Sequence, residues 1–214
     1  GDVAYNLLEA YLDSKDTNPV LAERLLEEAR WGLDFILGSR FGDGWRASSM
    51  GLLHWTDGVT GTFDDITSVR KQNLAFDNFL LSGYEAFAAM NISGDTGLKE
   101  ELAKAAQEDF DFAMKKFKKD GFDRFLFMYE HSYNTSESQY MATISWAASQ
   151  LYSLTGNTEY AAIAAEHIRY TVDCQETRPL ENGLRGWFYR NREGHSIVHY
   201  IHQSREQIYM QAME

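Results

Sequence analysis

The chain has 214 residues, with 32 Asp and Glu against 20 Lys and Arg and a formal charge of −12. That balance argues against nucleic acid as a partner, because phosphate recognition needs clustered basic side chains, and Lys115, Lys116, Lys118 and Lys119 read instead as the solvated end of a helix. With 44% hydrophobic and 14% aromatic residues the chain is globular and fits one domain over 1–214, and no apolar run approaches the roughly 18 residues of a membrane span.

In chain order, helical spacing appears first over 3–12 and then over 19–37. In the second stretch Leu21, Leu25, Leu26, Trp31, Leu33 and Ile36 are expected to form a broad buried face, and Glu23, Glu27, Glu28 and Arg30 the wet one. Asn18 followed by Pro19 marks a helix start. A second pair of helices is expected over 73–90 and 97–117, joined by Ser93-Gly94-Asp95, and a third over 136–154 and 159–174, joined by Thr155-Gly156-Asn157. Residues 204–214 open a fourth pair, which makes about three and a half hairpins. The single cysteine, Cys174, lies on an apolar helix side and reads as a core residue rather than a nucleophile.

The pattern repeats. Leu33-Asp34-Phe35 aligns with Phe110-Asp111-Phe112 at an offset of 77, and the same offset places Asp43-Gly44-Trp45 on Asp120-Gly121-Phe122. The stretch 160–174 has the same character, and Gly186-Trp187-Phe188 closes it. In each pair the first helix is apolar nearly all round, as in Met141, Ile144, Trp146, Ala147, Ala148 and Leu151, while the second is amphipathic. Inner helices alternating with outer ones predict an all-α fold, an α/α toroid of helical hairpins, here as a partial ring. The chain starts and stops inside helical pattern, so it reads as a fragment whose uncovered apolar faces favour self-association.

In such a ring the long outer-to-inner loops emerge on one face, and three long loops are read here, over 43–72, 120–135 and 183–203. The first carries His54, Trp55, Asp57, Asp64, Asp65, Arg70, Gln72 and Asn73. Carboxylates and amides that hydrogen-bond hydroxyls, beside rings that stack on pyranose faces, suit sugar, which makes Trp45, Trp55, Asp64 and Asp65 candidate contacts. The competing reading is that the two aspartates cap a short turn and Trp55 anchors the loop. The second loop offers Tyr129, Glu130, His131, Tyr133 and Asn134, with Tyr133 a further sugar-contact candidate. The third holds His195, His199 and His202, three of the six histidines within eight residues, and Arg205 follows. His199 and His202 have chelating spacing, but no third ligand is placed for a zinc site, so hydrogen bonding to substrate by His199, His202 and Arg205 is the preferred reading, with no metal and no cofactor.

The run Leu25-Leu26-Glu27-Glu28-Ala29-Arg30-Trp31-Gly32-Leu33-Asp34-Phe35-Ile36-Leu37, followed by Gly44-Trp45, resembles a segment of glycoside hydrolase family nine, the inverting endoglucanases of the six-hairpin superfamily. Residues 136–154 with Trp146-Ala147-Ala148, and Tyr160-Ala161 after them, also look like that family's middle repeats. The resemblance implies a hydrolase cleaving glycosidic bonds of a poly- or oligosaccharide, secreted or periplasmic. The family's D-A-G-D aspartate pair is absent and would lie upstream, and its general-acid glutamate downstream. Only His202 and Arg205, an echo of its H-H-R element, carry over as substrate contacts. Inverting chemistry needs two carboxyls about 6.5–9.5 Å apart, and no such pair is identified in the sequence. Two alternatives remain: an unsaturated-uronyl hydrolase or sugar epimerase on the same ring, with Arg70 and Arg205 meeting a uronate, and a non-catalytic helical-repeat binding module.

Overall fold

The computed structural model describes residues 1–52, 57–65, 67–123 and 137–177. Among them the chain is mostly helical, with α1 (Asp2–Ser14), α2 (Pro19–Gly38), α3 (Ala75–Asn91), α4 (Thr96–Asp120), α5 (Glu137–Thr155) and α6 (Thr158–Thr177). Between α2 and α3 lies a three-stranded antiparallel sheet of β1 (Arg40–Gly42), β2 (Trp45–Leu52) and β3 (Thr67–Gln72), in the order β1-β2-β3.

Local chemistry sets the helix ends. Asn18 accepts from the Leu21 amide at 3.2 Å with Pro19 in the first turn, and Asp95 accepts from Leu98 at 2.9 Å. The helices pair as sequential hairpins. Ser82 of α3 donates to the Ala106 carbonyl of α4 at 2.7 Å, and Ser145 of α5 to Ala164 of α6 at 3.0 Å. Gly32 of α2 lies against Ala4 of α1.

The first members of the pairs gather on one another and run the same way. Phe76 and Tyr84 of α3 meet Tyr140 and Trp146 of α5 with ring centroids 5.3 and 5.1 Å apart, while Tyr5 of α1 touches Tyr84 at 5.1 Å and Trp146 at 5.7 Å. This close approach depends on Gly83, where any β-carbon would strike the Trp146 ring. Both α3 and α5 are buried on nearly every side, whereas α4 buries Leu102, Ala105, Ala106, Asp109, Phe110 and Ala113 and exposes its other face. The inner-outer difference read from composition is present in the α3/α4 and α5/α6 pairs, whereas α1, among its described side chains, buries only Ala4, Tyr5 and Leu8 and does not show it.

Two expectations fail. The stretch 43–72, read as a loop, contains β2 and β3. The cause is Asp43-Gly44: with φ of 48° and 69° the pair forms the two-residue turn whose twist suits an antiparallel hairpin, and it sits between Phe41 and Trp45. At an offset of 77 the same dipeptide, Asp120-Gly121, ends α4 instead, with Gly121 at φ 72° donating to the Phe117 carbonyl. One sequence signal thus serves two structures, depending on whether strand or helix precedes it.

The second failure concerns α2. Trp31 is 75% exposed and Leu21 44%, because the face turned inward is Ala22, Ala29, Leu33 and Ile36. Small side chains let α2 lie close to α1, and this rotates the tryptophan outward beside Phe35, itself 55% exposed.

Candidate functional site

The β1–β2 hairpin folds back over α4, and between them is a cleft of about 560 Å³ lined by Arg40, Asp43, Trp45, Arg46, Glu108, Asp109, Asp111, Phe112 and Lys115 with Gly42 and Gly44. Gly44 sits directly on the Phe112 ring, with no room for a β-carbon. Trp45 is 45% exposed, so its ring is available at the cleft wall.

The inner lining of the cleft belongs to a charge cluster. Arg46, next to Trp45 on β2, reaches inward to Glu85 of α3 at 2.6 Å, to Asp109 of α4, and to the Ile36 carbonyl at 3.2 Å. Arg40 donates to Glu108 at 2.8 Å and to Asp109 at 3.0 Å. The side chains of Arg46, Glu85 and Asp109 are 4%, 0% and 5% exposed, so this is an internal ion network rather than a surface pair. Burial pushes the Glu85 carboxyl above its ordinary range, with Arg46 opposing the shift. The Arg40 hydrogen bond holds the half-exposed Glu108 below its ordinary range.

At the C-terminal end of α4, Asp123 accepts from the amides of Ala75 at 2.5 Å and Phe76 at 3.4 Å, and from the Tyr140 hydroxyl at 2.8 Å. One carboxylate thereby joins the start of α3 to α5, and burial together with Asp123 raises the Tyr140 phenol. The short turn at Ser93 lies elsewhere, receiving Arg30 on its carbonyl and Tyr11 on its hydroxyl.

Of the sequence-derived candidates, Trp45 lines the cleft. Asp64 and Asp65 hold their own turn: Asp64 accepts from the Asp57 amide at 2.6 Å and the Thr62 hydroxyl at 2.5 Å, and Asp65 from the Gly61 amide at 2.5 Å. Asp64 is buried, and its bond from Thr62 keeps its carboxyl below the usual range. Arg70 lies half-buried on β3, paired in register with Ser49. Trp55, Tyr133, His199, His202 and Arg205 lie outside the described residues. Among the described residues no three His, Cys, Asp or Glu side chains are grouped to hold a metal ion.

Sequence reasoning missed Arg40, Arg46, Glu85, Asp109 and Asp123. One signal was present: Glu85 stands among Tyr84, Ala86 and Phe87 in the middle of a largely apolar inner helix, and a carboxylate there must find a buried cation. No family model, no curated protein and no solved structure matches the chain.

Proposed function

We propose that this chain is a segment of a carbohydrate-active hydrolase built as a six-hairpin α/α toroid, acting on glycosidic bonds of a poly- or oligosaccharide, and that the Trp45 cleft is one of its sugar-contacting surfaces. The observation that carries the reading is the half-exposed Trp45 ring at a cleft whose mouth also holds Asp43, Asp111 and Lys115. A flat ring beside hydrogen-bonding side chains is the arrangement that hydroxyl-rich ligands require. The parallel inner helices and opposed outer ones support the ring architecture, since a closed double layer needs that alternation. The resemblance to family nine in 25–37 and 136–161 points the same way.

Glu85 and Asp109 are tied to arginines in the ion network, and in this reading hydrolysis is assigned to a carboxyl pair outside the described residues. The second reading is a helical-repeat module that binds sugar without cleaving it. An unsaturated-uronyl hydrolase or epimerase would instead draw on Arg70 and Arg205. Calorimetric titration with cellohexaose and with an oligogalacturonide, each against wild type and Trp45→Ala, tests the proposal. Binding of cellohexaose that Trp45→Ala weakens supports it. Undiminished binding by the variant, or none by wild type, rejects the cleft as a sugar surface, and preference for the uronate moves the assignment to the uronyl alternative.

A further inference from the structure

One wall of the cleft is the β1–β2 hairpin. Trp45 opens β2 directly after the two-residue turn, and the outer part of the hairpin is not core-packed: Phe41 is 55% exposed, and Lys71 of β3 stands 5.5 Å over its ring instead of a core side chain. The turn itself rests on the Phe112 ring through Gly44, whose carbonyl accepts from Asn78 of α3 at 3.0 Å, and from the two strands a pair of arginines, one on each, reaches into the helical body. Arg40 and Arg46 flank the turn in register with each other and converge on consecutive residues of α4, Glu108 and Asp109, with Glu85 of α3 completing the set.

We infer that Arg46 is a positioning residue for Trp45: with Arg40 it forms a two-arginine clamp that fixes the hairpin against α4 and so sets the ring's orientation and the width of the cleft. The inference rests on the reading of Trp45 as a sugar contact, and adds what holds that contact in place. The geometry favours a positional role over a generic stabilising one. Arg46 is adjacent in sequence to Trp45, so on a strand its side chain leaves from the opposite face, and pinning it inward pins the tryptophan outward. A guanidinium is also required rather than any cation, because Arg46 addresses two carboxylates on two helices and the Ile36 carbonyl at once. A lysine ammonium retains the charge but not that span. On the other strand Arg40 does the same for two adjacent carboxylates, which resists rotation of the hairpin about a single contact.

The test uses Arg46→Lys, with the emission of Trp45 isolated as the difference between each protein and its Trp45→Phe counterpart. The expected result, in a protein that melts earlier than wild type but is folded at the assay temperature, is a red-shifted Trp45 emission with easier iodide quenching and cellohexaose affinity lower by about tenfold, the change that one lost ring contact commands. Unchanged Trp45 emission in a folded Arg46→Lys protein overturns the clamp. If Arg46→Lys does not fold, Glu108→Gln decides, since that side chain is half exposed and, apart from its surface pair with Lys104, holds only Arg40 of the two arginines. It is expected to shift the same emission in the same direction by less, and no shift there also overturns the inference. Failure of wild type to bind cellohexaose sinks the sugar reading, yet leaves the emission result to decide the clamp.

Discussion

Around Tyr140 four other rings close in, Phe76, Phe79, Phe117 and Phe122, with centroids between 5.2 and 6.1 Å away. Around Arg46, in a volume as well shielded from water, the neighbours are carboxylates and a carbonyl. The first region is held by non-directional burial and tolerates small shifts of any one ring. The second is held by directional contacts, and each buried charge there is acceptable only while its partner stays. A protein that needs a rigid body and a surface held at a set angle gains from having both. The comparison can be broken or sharpened by removing one member from each region.

The largest loss is expected in the aromatic layer. Trp146→Ala empties the space over Gly83 and should cost about 3–5 kcal/mol, whereas Trp31→Ala, at 75% exposure, should stay within about 0.5 kcal/mol. Chemical denaturation of both variants checks this, and equal losses would mean that Trp31 is covered by something outside the described residues. The pair also shows what the sequence could tell. Both tryptophans stand in apolar helical patterns, and the pattern identifies a helix but leaves its rotation open whenever apolar side chains surround more than one face. For α5 the apolar residues run all round, so rotation does not matter. For α2 small alanines, rather than the large side chains, mark the buried stripe.

Next comes the ion network. Glu85→Ala leaves Arg46 buried with one of its carboxylates gone, at a cost of about 3 kcal/mol, and a double-mutant cycle with Arg46→Met should give a coupling of about 1 kcal/mol or more. Additive effects in that cycle would show the two side chains to be energetically independent. This network was the least legible part of the site. Its members are scattered over 40–109 and meet only because the hairpin folds onto α4, so spacing in sequence carries no trace of them. The hairpin itself was announced by Asp43-Gly44 between aromatics, a local signal overridden by the expectation of a long loop between helices.

Asp123→Ala is expected to cost about 1–2 kcal/mol, because it removes the cap from the first amides of α3 and the acceptor of Tyr140 together. Tyr140→Phe isolates the second contribution, and should cost less than Asp123→Ala. Thermal melts of the two variants rank them, and a more damaging Tyr140→Phe would show the ring contacts, not the cap, to be at issue.

The smallest effect belongs to a helix away from both regions. Glu9 on α1 accepts from the Tyr5 hydroxyl at 2.9 Å, and burial, with Asp13 adding to it, pushes its carboxyl up to about 7 from 4.5. A folded-state pKa above the unfolded one means that the folded protein binds the proton more tightly. The favourable contribution is then complete below about pH 4.5 and fades as pH rises through about 7. The full shift corresponds to about 3 kcal/mol, but Glu9 is only half-buried and solvent screens it, so about 1 kcal/mol is the realistic size. Glu9→Gln keeps an oxygen for Tyr5 and cannot ionise. The variant should therefore match wild type in denaturant midpoint near pH 4.5 and pull ahead by about 1 kcal/mol at pH 8. Parallel stability profiles across that interval would mean that Glu9 titrates alike in the folded and unfolded chains, and that its contact with Tyr5 leaves it as accessible to water as an ordinary surface carboxylate.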